Sequence, residues 1–159
     1  MTHRGVLVEL SPSEQMLAAL IACMRQITDV RDGRQPAHGA GDEFAWHYNI
    51  IGALGEVAVA KDRDCFWSGA QGRLRAPDVG ALQVRATPEE DGRLIVRKND
   101  PDDVRFVLVV GVVPCLRLVG WMLGKDAKRD EWRANPNGRA SAWFVPQDAL
   151  ADYGTLWLP

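Results

Sequence analysis

The sequence predicts an α/β fold, a single domain in which helices flank a mixed β-sheet. Its 159 residues are the length of one ordinary domain, and 47% hydrophobic with 25% charged residues is an average globular composition. Apolar side chains recur at helical spacing in the first third of the chain, and alternate as in strands after Asp64. The net charge of −2 excludes binding of nucleic acid by bulk charge alone, but leaves room for a local basic groove.

A first helix is predicted after a short strand at residues 5–10. Ser11 and Glu14 form a capping box, in which each side chain binds the other residue's backbone N–H, and Pro12 suits the first helical position. The helix runs to about Ile27. Its core-facing side chains are predicted from their three- and four-residue spacing: Leu17, Leu20, Ile21 and Met24.

A second helix is predicted from about Asp42 to about Asp62. Its buried stripe consists of apolar side chains: Phe44, Ile50, Ile51, Leu54, Val57 and Ala58. Gly52 and Gly55 interrupt good helix formers. Each costs about 1 kcal/mol against alanine, which predicts that another backbone approaches the helix closely there.

The rest of the chain is predicted to supply most of the strands, in the order β-α-α-β-β-β-β-α-β. Alternating or continuous apolar runs mark them at residues 82–85, 94–97, 106–110, 116–121 and 141–145. The run at 106–110 is β-branched and continuous, which indicates a strand buried on both faces. A short polar helix at 125–133 and a helical turn at 146–151 complete the pattern.

The cysteines and the apolar runs indicate a cytoplasmic protein. Cys23, Cys65 and Cys115 are odd in number and show no paired spacing, so we expect reduced thiols, with Cys23 and Cys115 in the core. The longest apolar run, 106–116, is shorter than the roughly 18 residues of a membrane span. No signal-peptide core follows the N-terminus, and no membrane partner is expected.

Glu56 is an unusual residue because small and apolar neighbours surround it in the second helix. Burying an unpaired carboxylate is costly, so Glu56 is a candidate functional residue. Asn49 and Gly52, seven and four positions earlier, share its helix face. In the alternative interpretation, Glu56 is half exposed and pairs with a nearby arginine.

A second group of polar residues lies around the strand at 82–85. Asp78 is in a turn before this strand, and Gln83 and Arg85 are two apart, so both point to one face. An acid, an amide and a guanidinium presented together can hold a divalent cation and a phosphate. The alternative is a hairpin in which Asp78 serves the turn and the other two side chains face solvent.

Together these residues resemble the PD-(D/E)XK nuclease superfamily over residues 42–121. Glu56 matches the glutamate of that family's first helix, and Asp78, which follows a proline, matches its metal-binding aspartate. Gln83 and Arg85 stand where the family has its acid-x-lysine pair. The whole chain also looks like small hypothetical proteins of that superfamily from phage genomes.

The resemblance implies a restriction-endonuclease-like core, with the run at 94–96 as a hairpin strand and 106–110 as the central strand. It also implies a Mg²⁺- or Mn²⁺-dependent DNA nuclease, in which Glu56, Asp78 and Gln83 bind the metal and Arg85 holds the scissile phosphate. All four would be catalytic. Glutamine brings no charge, so the metal would bind weakly, and arginine cannot act as a base.

Two other functions are kept open beside the nuclease. One is a catalytically inactive module of the same fold that binds nucleic acid or a protein. The other is a structural, oligomeric protein with its six tryptophans at subunit contacts. Basic residues around the proposed site predict contacts with DNA, although a solvated hairpin explains them equally well: Arg73, Arg75, Arg85 and Arg93.

Overall fold

The computed structural model describes residues 4–34, 44–69 and 76–156, which form one mixed α/β domain. This confirms the predicted fold class. Within these residues the three helices are α1 (Pro12–Arg31), α2 (Ala45–Asp62) and α3 (Gly124–Ala127). The eight strands within these ranges are β1 (Val6–Glu9), β2 (Leu82–Thr87), β3 (Leu94–Arg97), β4 (Arg105–Val110), β5 (Cys115–Leu123), β6 (Arg133–Ala134), β7 (Ala142–Val145) and β8 (Ala151–Asp152).

The strands form two sheets, where the sequence predicted one. The larger is mixed, in the order β1-β5-β4-β2 with β8 added to β5, and its one parallel pair is β2 with β4. The smaller is antiparallel, in the order β3-β7-β6. The expectation that β3 forms a hairpin with β2 is therefore wrong. As predicted, β4 is buried on both faces, because its alternate side chains pack into two different hydrophobic clusters.

Helix α2 lies directly on the larger sheet at Gly55. A Cβ added there would be 2.6 Å from the Cβ of Ala86 on β2, so only glycine permits this approach. The predicted close approach is thus confirmed at Gly55, although the neighbour is a side chain. It is wrong at Gly52, where a Cβ would meet nothing within 4 Å.

Helix α1 begins as predicted but turns a different face inward. The Ser11–Glu14 capping box is present, and the helix continues to Arg31. Its buried residues are Ala18, Ala22 and Gln26, while most of the predicted core-facing set, namely Leu17, Leu20 and Met24, is exposed. The small alanines let α1 lie close against α2, and the polar side chains of α1 that follow them bind α2.

Smaller predictions are corrected in the same way. The polar segment 125–133 is not one helix, because α3 ends at Ala127 and a separate 3-10 turn spans Asp130–Trp132. All three cysteines are free, but Cys115 is exposed and Cys23 only partly buried, so neither belongs to the core. No helix of the described residues is both long enough and apolar enough to cross a membrane.

Candidate functional site

Glu56 is buried and paired, with only 5% of its surface exposed. Its Oε1 accepts a hydrogen bond from Arg25 Nη1 at 2.9 Å, and its Oε2 accepts from Arg25 Nη2 at 2.8 Å. Trp67 Nε1 also donates to Oε2 at 2.8 Å. The structure therefore combines both interpretations of Glu56: the carboxylate lies inside the protein, and an arginine pairs with it in a two-pronged geometry.

Arg25 is held from several sides. Besides Glu56, it donates to the backbone oxygen of Gly69 from Nε at 3.0 Å and from Nη2 at 2.6 Å, and its guanidinium lies 5.8 Å from the ring centre of Trp67. Burial opposes the charge of Arg25, but the hydrogen bonds and charge of Glu56 outweigh it and raise the pKa of the guanidinium. Arg25 is therefore a fixed positive charge.

Asp78 lies in the turn before β2 and is oriented by the backbone of that strand. Its Oδ2 accepts from the Val84 N–H at 2.7 Å. Burial, followed by the negative charge of Glu56, raises the pKa of Asp78 to about 6, although the Val84 hydrogen bond and the charges of Arg85 and Arg25 act in the opposite direction. The charge of Glu56 is thus close enough to affect the ionisation of Asp78.

The side chains of Arg85 and Gln83 bind different partners. Arg85 binds Asp100 Oδ2 through Nη2 at 3.0 Å and lies 5.1 Å from the ring centre of Phe106. Gln83 instead donates to the backbone oxygen of Ala76 at 3.1 Å, and its Oε1 accepts from Arg85 Nη1 at 3.5 Å. Gln83 therefore lies beside Arg85 but is not part of the cleft lining.

A cleft of about 350 Å³ opens between α1, α2, β2 and β3. Its wall contains both carboxylates, Glu56 and Asp78. It also contains five arginines, and we call it the arginine cleft: Arg25, Arg85, Arg93, Arg97 and Arg139. Five positive charges stand against two negative ones, an excess of three in a chain whose net charge is −2.

Three of these arginines have no side-chain partner within the described part of the chain. Arg93, Arg97 and Arg139 make no side-chain hydrogen bond or ion pair there, in contrast to Arg25 and Arg85. Burial, followed by the charge of Arg85, lowers the pKa of Arg97 to about 10, and Asp100 only partly offsets this. The guanidinium stays protonated at neutral pH, and no carboxylate of the described residues pairs with it.

The structure shows where the predicted site residues lie. It brings Glu56, Asp78, Arg85 and Arg93 into one cleft, while Gln83 stays outside it. Arg73 and Arg75 lie outside the described residues. Asn49 and Gly52 line the same wall as Glu56, as their helical spacing predicts.

Several cleft residues were missed because no motif marks them. Tyr48 and Arg139 are of this kind, and both line the cleft. Arg25 did give a signal, because it is the only charged residue of α1 between Glu14 and Asp29. A lone charge in an apolar helix is a candidate partner for a buried carboxylate elsewhere.

The described residues contain no group of three or more His, Cys, Asp or Glu side chains that could hold a metal ion. The arginine cleft holds two carboxylates, and Glu56 already receives three hydrogen bonds. A metal at Glu56 would therefore compete with Arg25 and Trp67.

The chain matches no protein-family model, no curated protein sequence and no solved structure. The resemblance to PD-(D/E)XK nucleases over residues 42–121 therefore stays a prediction, and the function is argued from the cleft itself.

Breaking the Arg25–Glu56 pair is expected to be costly. Arg25→Met and Glu56→Leu should each lower the free energy of unfolding by about 3 kcal/mol, because each leaves an uncompensated buried charge. The double variant Arg25→Met/Glu56→Leu should lose less than either single variant. Urea unfolding of the four proteins measures this coupling.

Arg31→Ala is the matched control, since Arg31 is on the same helix and its ion pair with Asp32 is exposed. It should change stability by less than about 1 kcal/mol. Purely additive losses in the double variant would contradict the pairing.

Proposed function

We propose that the arginine cleft binds nucleic acid through its phosphate groups, as a single-stranded segment. The observation that carries this proposal is that five arginines and two carboxylates line the cleft, while three of the guanidiniums make no side-chain hydrogen bond or ion pair within the described residues. A guanidinium stays charged at every physiological pH, and its planar fork matches two oxygens of one phosphate. Arg97 is partly buried, and an anion at its guanidinium would offset the cost of that burial.

The shape of the cleft supports a single strand. About 350 Å³ is the volume of a small-ligand pocket, so it admits a nucleotide-sized segment, whereas a duplex is too wide to enter. Tyr48 is half exposed and lines the same cleft. An aromatic ring among arginines is the usual platform for an unpaired base, because stacking tolerates any base.

The five arginines of the cleft fall into two groups. Arg25 and Arg85 are already bound to Glu56 and Asp100, so they form a fixed part of the cleft wall. Arg93, Arg97 and Arg139 supply the binding groups. The predicted cytoplasmic location agrees with this function, because nucleic acid is accessible there.

Loss of a binding arginine should weaken affinity for single-stranded DNA. Arg93→Ala and Arg97→Ala should each weaken binding of a labelled oligo(dT) about tenfold, a loss of about 1.4 kcal/mol. Each should also reduce the slope of log affinity against log salt by about 0.7, the contribution of one phosphate contact. Fluorescence anisotropy measures both quantities.

Arg129→Ala is the control, because Arg129 is exposed, pairs with Glu131 and lies outside the cleft lining. It should bind as the wild type does. An equal effect of Arg129→Ala, or no oligo(dT) binding at low salt, would refute the proposal. Binding of mononucleotides as tight as that of the oligonucleotide would point to a free nucleotide as the ligand.

Binding should also depend on pH through Asp78. Because the raised pKa of this carboxyl is about 6, it is neutral at pH 5 and negative at pH 7.5, so acidification removes a negative charge from the cleft. Affinity for oligo(dT) should therefore rise several-fold as the pH falls through 6. Thymine takes up no proton in this range, so the ligand does not contribute.

Asp78→Asn should bind tightly at both pH values and lose this dependence. A wild type whose affinity does not change, or a variant that keeps the full dependence, would show that another group is responsible.

Metal-dependent cleavage is the second candidate function, and a specific observation favours it. Glu56 and Asp78 share one cleft with Arg85, as the nuclease resemblance requires. Mg²⁺ or Mn²⁺ would supply a bound water of lowered pKa there. Asp78 would be its main ligand, because Glu56 is held by Arg25 and Trp67, and Gln83 points to Ala76.

A cleavage assay separates the two functions. For a nuclease, the wild type should cut labelled single-stranded DNA with Mn²⁺, and Asp78→Asn should bind the DNA without cutting it. Binding with no cutting under either metal would leave the binding module as the function. Cutting by Asp78→Asn at the wild-type rate would exclude Asp78 as a metal ligand.

A further inference from the structure

The solvent-facing side of α1 is apolar along almost its whole length. Six large apolar side chains form this surface, which we call the α1 stripe, and each is between 48% and 64% exposed: Met16, Leu17, Leu20, Met24, Ile27 and Val30. Between Met16 and Val30, every exposed position of the helix belongs to the stripe. Single exposed apolar residues are normal on proteins, but a continuous row of them marks a contact surface.

The orientation of α1 explains why the stripe faces outward. Arg25 points inward to Glu56, and Gln26 is buried and accepts a hydrogen bond from Asn49 at 2.6 Å. The helix thus directs its polar groups into the protein. Its apolar side cannot turn inward without breaking the Arg25–Glu56 pair.

The spacing within the stripe fits another helix. Leu17, Leu20, Met24 and Ile27 follow one another by three, four and three residues, which is the seam of two helices packed side by side. Lipid-binding helices, by contrast, place basic residues along the face opposite their apolar side. Here that opposite face contacts the rest of the protein and carries alanines.

We propose that the α1 stripe is a dimer interface, and that its occupant is α1 of a second copy of this chain, packed antiparallel across a twofold axis. Because the stripe carries no charge, two copies can meet without burying an unpaired ion. An antiparallel arrangement also sets the two helix dipoles against each other favourably. The interface is self-complementary, as twofold symmetry requires.

The exposed area agrees with the needs of a stable dimer. Phe66 is 89% exposed and lines the same surface hollow as Leu17, so it extends the stripe. The exposed fractions of the stripe and Phe66 are equivalent to about four fully exposed large apolar side chains, roughly 600 Å² at about 150 Å² for each. A standard interface buries about 800 Å² per partner, of which more than half is apolar.

The geometry also defines a register. An axis between Cys23 and Met24, at the middle of the stripe, pairs Leu20 of one copy with Ile27 of the other. The same axis pairs Leu17 with Val30. Cys23, which is partly buried beside the stripe, then lies next to its counterpart.

Sedimentation velocity tests the dimer directly. At micromolar concentration the wild type should have a sedimenting mass of twice 17.6 kDa, and the Leu20→Glu variant a mass of 17.6 kDa. Val112→Glu is the matched control, because Val112 is 66% exposed and lies outside α1, and it should remain a dimer. Circular dichroism should show that Leu20→Glu stays folded, as its position is exposed.

A charge-pairing experiment tests the register. Leu20→Glu and Ile27→Lys should each be monomeric alone, but an equimolar mixture should form a heterodimer, because the antiparallel register brings the introduced carboxylate of one chain against the introduced ammonium of the other.

In a background with Cys65→Ser and Cys115→Ser, a short bismaleimide should join two chains through Cys23. A mixture that stays monomeric and gives no cross-link would refute this register.

A wild type that is monomeric at every concentration would refute the dimer. If that monomer instead co-sediments with anionic lipid vesicles, and Leu20→Glu does not, the stripe is a membrane contact and the proposal is overturned.

Discussion

The ion pair between Arg25 and Glu56 determines how the first two helices fit together. Two charges are removed from water there, a cost of several kcal/mol per ion that only good geometry offsets. The geometry is good, because two parallel hydrogen bonds join the pair. Trp67 donates a further hydrogen bond to Glu56, and the backbone oxygen of Gly69 accepts one from Arg25. Because the pair draws one side of α1 inward, the same contact places a guanidinium at the wall of the cleft and turns Leu20 and Met24 toward solvent.

The chemistry of the cleft follows from its unequal charges. Glu56 is neutralised by Arg25, so its effect on a ligand is small, and the remaining carboxylate, Asp78, faces an excess of guanidiniums. Burial raises the pKa of Asp78 to about 6, so the charge of this carboxyl changes near neutral pH. A site of this composition attracts anions first, and a cation can enter only beside Asp78. This preference for anions distinguishes the cleft from an acid-rich metal centre, in which carboxylates outnumber basic side chains.

Local features of the molecule were predictable from the sequence, and non-local ones were not. The Ser11–Glu14 cap and the strand at 106–110 depend on residues near in sequence, and both predictions are confirmed. The resemblance to PD-(D/E)XK nucleases also brought Glu56, Asp78 and Arg85 together as candidates, and all three line one cleft. The partner of Glu56 lies 31 residues earlier, and β3 pairs with a strand far along the chain, so no local pattern contains either fact. Periodicity found the apolar side of α1 correctly but could not show that a buried charge turns that side outward.

The edge of the larger sheet has a consequence for assembly. Strand β2 lies at that edge, where exposed backbone groups usually invite a further strand. Here the Val84 N–H is taken by Asp78 and its carbonyl oxygen by Arg85, while the Leu82 N–H bonds to the Val79 oxygen. The first half of this edge is therefore closed to strand addition by the protein's own turn and side chains. Growth of the sheet from copy to copy, the route to fibrils, is blocked at the same residues that form the cleft.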